Sequence, residues 1–246
     1  MREWTGKGYW LVGASEGLGL ALAQMISRAG AEVILSARSQ DRLTAAVATL
    51  PGKASAVACD VADRASVQAA ADLIGPVDGV VYLAGVYWPT KAQEWKADEV
   101  EAMCDVNFTG CARVIGAVLP GMVARGTGHV VITGSISGFR GLPGSIGYTA
   151  SKAGVMSLAE CLYADLRDSG IDVQVANPGF IRTRLTDKND FSMPFLMEPE
   201  QAAREMFEHM NSDAFKKSFP MVFSWLFRLS QFLPDWAYYR LFAPRK

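Results

Sequence analysis

Short apolar runs alternate with longer amphipathic or alanine-rich stretches along most of the chain. "YWLVGA", "AEVILSA", "ASAVACD", "VDGVVYLAG", "GHVVITGS" and "IDVQVANPG" are brief, several are β-branched, and Gly, Asp, Asn or Ser follows each. They predict strands. Between them, "GLGLALAQMISRAG", "QDRLTAAVATL", "ADRASVQAAADLIG", "ADEVEAMCDVNFTGCARVIGAVLPGMVARG" and "GYTASKAGVMSLAECLYADLRDSG" predict helices, most of them ending at glycine. Alternation at this spacing implies right-handed βαβ units. The strands are apolar almost throughout, as in a parallel sheet covered on both faces. The expected fold class is therefore α/β: a doubly wound parallel sheet, three layers deep (α/β/α), in a single domain over residues 1–246. A substrate lid is expected at about 184–200 and an apolar, helical C-terminal extension at about 213–246.

Composition narrows the function. Half of the 246 residues are hydrophobic, and the net charge is −1. No basic excess marks a nucleic-acid partner. Cys59, Cys104, Cys111 and Cys161 form no Cys-x-x-Cys pair, and His129 and His209 are the only histidines, so no zinc spacing arises. Free thiols suit a reducing cytoplasm. The N-terminus carries no signal-like apolar region, and no stretch of about 18 charge-free apolar residues suggests a membrane span. The expected location is cytoplasmic.

In a doubly wound sheet, chemistry gathers beyond the carboxyl ends of the strands. "LVGASEGLG" follows the first strand and opens the first helix. Gly13 permits a tight turn, Gly17 lets backbone approach a pyrophosphate, and Gly19 allows helix to pack closely on sheet; Ser15 and Leu18 lie among them. The second strand ends at Ala37 and Arg38, where an acidic residue would take a ribose 2′-hydroxyl. A guanidinium suits a 2′-phosphate, so NADP(H) is favoured over NAD(H). Glu16 in the glycine turn pulls the other way. After the third strand, Asp60 could accept from an adenine amino group with Val61 alongside, or cap the next helix.

"YTASKAG" places Tyr148 and Lys152 four residues apart, on one face of a predicted helix. A phenol with pKa about 10 is a poor acid–base catalyst at neutral pH, and a neighbouring ammonium brings it toward working range. Ser135, at the end of the fifth strand, could hold a substrate oxygen while Tyr148 passes the proton. A hydride would move between that carbon and a nicotinamide. A non-catalytic cofactor sensor would be expected to lack the tyrosine or the lysine.

These residues resemble the short-chain dehydrogenase/reductase family, over roughly residues 6 to 211. The matching elements are the G-x-x-x-G-x-G turn, Asp60, Asn107 in "DVNFTG", Ser135, Tyr148, Lys152 and "NPGFIRT". The resemblance implies a Rossmann-type fold and a catalytic tetrad of Asn107, Ser135, Tyr148 and Lys152. Asn107 would anchor a water linking Lys152 to solvent, and Lys152 would also hold the nicotinamide ribose. Pro178 and Gly179 would turn the chain, and Ile181 backbone and the Thr183 hydroxyl would hold nicotinamide amide and pyrophosphate. Ala84 and Gly85 would border the cofactor. Two departures stand out: Val12 where the family has threonine, and Tyr82–Leu83 where it has two asparagines. The threonine hydroxyl there bonds the Asn-Ala-Gly turn, so Val12 is expected to make an apolar contact with the Leu83–Ala84 turn instead. The family also pairs through the helices carrying Asn107 and Tyr148, which implies a homodimer or homotetramer.

The substrate is less legible. Phe191, Met193, Phe195, Leu196 and Met197 could line a pocket or pack the lid down. Tyr87, Trp88 and Phe139 follow other strand ends. Arg140, Arg182 and Arg184 lie nearby but form no cluster for an anion. A hydrophobic carbonyl or secondary alcohol is expected. Residues Phe219 to Phe242 crowd aromatic and aliphatic side chains into two helices broken at Pro234. A lid or subunit interface is the favoured reading of that tail, ahead of peripheral contact with the inner face of a membrane.

Overall fold

The structure is a computed structural model that describes residues 2–188 and 192–243. Phe191, one of the expected pocket residues, lies outside the described residues. Seven parallel strands form one sheet: β1 (Gly8–Val12), β2 (Glu32–Ser36), β3 (Ala54–Ala56), β4 (Gly79–Tyr82), β5 (Gly128–Thr133), β6 (Ile171–Pro178) and β7 (Lys216–Phe219). Their order, β3-β2-β1-β4-β5-β6-β7, reverses between β1 and β4. That reversal opens a crevice at the carboxyl ends.

Period-two alternation sends the strand residues to two cores. From β1, Tyr9 and Leu11 join one core with Leu22, Ile26, Leu35 and Met206. Trp10 and Val12 join the other, with Val67, Val114, Ile132 and Val155. The first core lies under α1 (Gly17–Arg28), α2 (Gln40–Val47) and α7 (Pro199–Met210). The second lies under α3 (Arg64–Ile74), α5 (Gly110–Arg125) and α6 (Ile146–Leu166), with α4 (Ala97–Cys104) packed on α6. Burial on both faces is what makes the runs continuous rather than alternating.

Three expectations need correcting. The extension from 213 is not wholly helical: it begins with β7, whose Lys216 pairs with Val175 and Phe219 with Pro178. The single helix expected from "ADEVEAM" to "VARG" is two, α4 and α5, joined by a π-helical turn at Asp105–Thr109. This run has the length and hydropathy of a membrane-crossing helix, but it covers the sheet and packs on α3 and α6. The cap of α3 is Asp63, which accepts from the Ala65 N–H; Asp60 instead accepts from Ala62 N–H in its own turn. The tail does contain two helices, α8 (Met221–Ser230) and α9 (Asp235–Phe242).

Candidate active site

The glycine turn is built for close approach. Gly13 has φ +90°, and a Cβ there would collide with the Ala84 backbone. A Cβ on Gly19 would strike Ala14. Gly17 (φ +53°) faces Thr183, whose Cγ2 would lie 3.2 Å from an added Cβ. No side chain caps α1, so its first amides and positive dipole face the crevice. A cradle bounded by Gly13, Ser15, Gly17 and Thr183 fits a dinucleotide pyrophosphate. Leu18 packs against the first core from this turn.

Val12 sits where expected. Its carbonyl accepts from Leu83 N–H at 2.8 Å, and its side chain shares the second core with Ala84. Tyr82, in place of an asparagine, is buried and donates to the Val106 carbonyl at 2.5 Å. An apolar contact thus stands where a hydroxyl–turn bond would be, and Tyr82 ties β4 to the π turn instead.

Along the outer crevice, Arg38 is exposed and makes no ion pair or hydrogen bond among the described residues. Glu16 is ion-paired with Arg184, which comes from the lid. Asp60 keeps one carboxylate oxygen beside its Ala62 bond. Val61 does not face the crevice with its side chain: it is buried against Gly110, and its carbonyl accepts from Arg113.

At the inner crevice, β5 delivers Ser135 and the N-terminal turns of α6 deliver Tyr148 and Lys152. Ser135 is buried, caps the short turn Ile136–Phe139, and shares a hydrogen bond with Ser137 Oγ at 2.9 Å. Burial pushes the Tyr148 phenol up, and its hydrogen bond to Ser135 pulls it down. The Tyr87 ring meets Tyr148 edge-on at 5.2 Å. Lys152 is 4 % exposed and donates to the Thr133 carbonyl at 2.8 Å. Its Nζ lies 5.8 Å from the Tyr148 ring centroid. Burial lowers its pKa to about 8, with Cys111 opposing. In this arrangement the ammonium is turned to Thr133, and Ser135 is the group that lowers the phenol.

Asn107 is buried on the π turn. Its Oδ1 accepts from Val86 N–H at 2.7 Å, and its Nδ2 donates to the Val86 carbonyl and to Ser151 Oγ, both at 3.0 Å. Ser151 in turn donates to the Tyr148 carbonyl. Both amide hydrogens are therefore committed to holding the Gly85–Val86 backbone against α6. The Ser151 link escaped the sequence reading, although its place three residues after Tyr148 put it on the right face. A Cβ on Gly85 would come within 3.5 Å of Asn107 Oδ1.

Beyond β6, Pro178 pairs with Phe219, and Gly179 N–H donates to the Phe219 carbonyl at 2.7 Å. Ile181 is buried and bridges Met197, so Met197 belongs to the core rather than to a pocket wall. Phe195 is 56 % exposed and leans on Phe223 of α8. Phe139 and Met193 are half-buried at the rim. Lys188 donates to the Tyr87 carbonyl and lies 4.0 Å over the Trp88 ring, closing the lid's base onto that loop. All three nearby arginines are engaged: Arg140 with Asp235, Arg182 with Glu198, Arg184 with Glu16.

Comparison with known proteins agrees with this geometry. The family described as short chain dehydrogenase matches residues 9–192. An uncharacterized oxidoreductase of Myxococcus xanthus is 35 % identical over 243 residues, covering 96 % of both chains. The ketoacyl reductase HetN of Nostoc sp. is 31 % identical, over 80 % of this chain and 71 % of its own. Actinorhodin polyketide ketoreductase with NADPH superposes with a TM-score of 0.80 at 25 % identity, over 89 % of this chain and 97 % of its own. A short-chain dehydrogenase from Sphingobium yanoikuyae in complex with NADPH gives 0.81 at 26 %, over 87 % and 88 %.

Proposed function

Given that this chain belongs to the short-chain dehydrogenase family and is an NAD(P)-dependent dehydrogenase/reductase, we propose that it interconverts a carbonyl and a secondary alcohol on a hydrophobic small molecule, using NADP(H), with Tyr148 as general acid and base. The observation that carries this is the convergence of buried Ser135, at the end of β5, with Tyr148 and buried Lys152 on one face of α6, Lys152 Nζ lying 5.8 Å from the Tyr148 ring centroid. The bound nicotinamide supplies or accepts the hydride. Ser135 holds the substrate oxygen, and Tyr148 gives it a proton during reduction. Lys152 grips the nicotinamide ribose and returns positive charge to the phenol as proton transfer leaves it anionic. Asn107, through Val86 and Ser151, keeps the loop and α6 in register with this pair.

Arg38 supports NADP(H), because it is free to meet a 2′-phosphate and the Glu16 carboxylate is neutralised by Arg184. The engaged arginines support an uncharged substrate, since none is left to pair with a carboxylate or phosphate. Tyr87, Trp88, Phe139 and Met193 then give the pocket its apolar wall. A cytoplasmic site of action fits the four free thiols, two of them buried. The test is a carbonyl panel followed by loss of reduced-nicotinamide absorbance. The proposal expects turnover with kcat/KM higher for NADPH than for NADH. Tyr148→Phe is expected to lower kcat by about 10²-fold or more while cofactor binding persists. Full activity in that variant, or a clear NADH preference, refutes the corresponding part.

A further inference from the structure

The pair α8–α9 presents a face that neither the sheet nor the active site uses. α8 is inside out. Ser224 and Ser230 are buried, whereas Met221, Val222, Trp225, Leu226 and Leu229 are 48–71 % exposed. The inward serines need nothing from water, because each hydroxyl donates back to its own helix, at Met221 and Phe227. The loop and α9 continue the pattern, with Phe232 85 %, Trp236 74 % and Leu241 60 % exposed. These side chains together offer on the order of 1,000 Å², against a few hundred for the largest apolar patch of an ordinary monomer.

This is not a frayed end. Arg140 donates to the carbonyls of Ser230 and Leu233, pairs with Asp235, and stacks 4.0 Å over Tyr238. Tyr238 donates to the Gly141 carbonyl at 2.7 Å, and Phe227 meets Phe242. A pair of helices held this firmly with its greasy side outward has a covering partner.

We infer that α8 and α9 dock the enzyme on the surface of an anionic bilayer. Trp225, Trp236 and Tyr239 are the side chains that settle at a membrane–water interface. Arg228 and Arg240 stand exposed among them, and Asp235, the sole acid of the two helices, is tied to Arg140. The charge left on this face is cationic, which complements anionic headgroups. Helices of 10 and 8 residues are too short to span a bilayer, so they lie in its plane. A second copy of the chain is the competing occupant, and it would not require the cationic, tryptophan-bearing character of this face. The buried side of α8 meets the turn after β6, where Phe223 lies 3.3 Å from a Cβ built on Gly179. The inference does not depend on which carbonyl the site reduces.

The experiment is flotation of the full chain with vesicles of phosphatidylcholine plus phosphatidylglycerol, and of phosphatidylcholine alone. Wild type is expected to rise with the anionic vesicles and to bind the neutral ones at least about tenfold less. The double variant Phe232→Glu/Trp236→Glu is expected to stay at the bottom with an unchanged melting temperature and unchanged mass by light scattering. Wild type that does not rise, or a variant that rises equally, overturns the inference. A variant whose mass falls to a smaller oligomer overturns it too, since the face would then be a subunit interface.

Discussion

Lys152 and His129 are both buried cationic-type side chains, and the difference between them separates function from structure. Lys152 reaches the crevice, and its lowered pKa of about 8 leaves it a charge to offer near neutrality. His129 is sealed between Tyr9 and Gln174, at 3.0 and 2.9 Å, with no route to the crevice. Burial holds its pKa down at about 3. The unfolded chain, with an ordinary imidazole near 6.5, takes up the proton first as pH falls. His129 therefore contributes stability that is fully present above about pH 6.5 and lost toward pH 3, at about 1.4 kcal/mol per pH unit. His209, lowered to about 4 by burial, acts in the same direction. Melting temperature is expected to be level between about pH 7 and 8 and to fall between pH 6.5 and 5, before carboxylates titrate. In His129→Gln that slope should be visibly shallower; an identical slope contradicts the assignment.

Two elements owe their position to single arginines. Arg140 closes four contacts on the α8–α9 pair from the loop after β5. Arg140→Ala is expected to cost about 1–3 kcal/mol, read as a lower melting temperature, and to open the pair to protease. Arg140→Lys cannot restore a planar fork and should rescue little. Arg184 joins the lid to the glycine turn. Arg184→Ala exposes the Glu16 carboxylate, so KM for NADPH should rise by up to about fivefold more than KM for NADH. Equal changes for the two cofactors would show that Glu16 lies away from the 2′-phosphate. Neither contact was legible in the sequence, because the partners lie 95 and 168 residues apart. The elements missed have local reasons. β7 is a four-residue edge strand with two lysines, so it lacks the doubly buried apolar run that marks the five inner strands. α7 is polar on its outer face, yet its start was written in Glu198, Pro199 and Gln201, a capping box with proline in the first turn. The π turn at Asp105–Thr109 adds a residue without breaking the apolar period, and that extra residue is what swings Asn107 into the core.

At the scale of the molecule, the doubly wound sheet accounts for most of what could be read in advance. A parallel sheet gathers every carboxyl end on one edge, so the Gly13 turn, Asp60, Ala84, Ser135 and Pro178 had to converge. The i, i+4 spacing of Tyr148 and Lys152 then fixed one helix face toward them. What one dimension could not give was the direction of each side chain on arrival: Lys152 toward Thr133, Val61 inward to Gly110, Met197 into the core, and the serines of α8 facing in. The central claim is that this convergence delivers a hydride and a proton to one carbon. Its most direct measurement is the fate of deuterium placed at both C4 positions of the reduced nicotinamide, with an accepted carbonyl as substrate. The account predicts deuterium on the carbinol carbon of the product for wild type, and transfer slowed by about 10²-fold or more for Tyr148→Phe with cofactor still bound. Label absent from that carbon in wild type, or transferred undiminished by Tyr148→Phe, would contradict it.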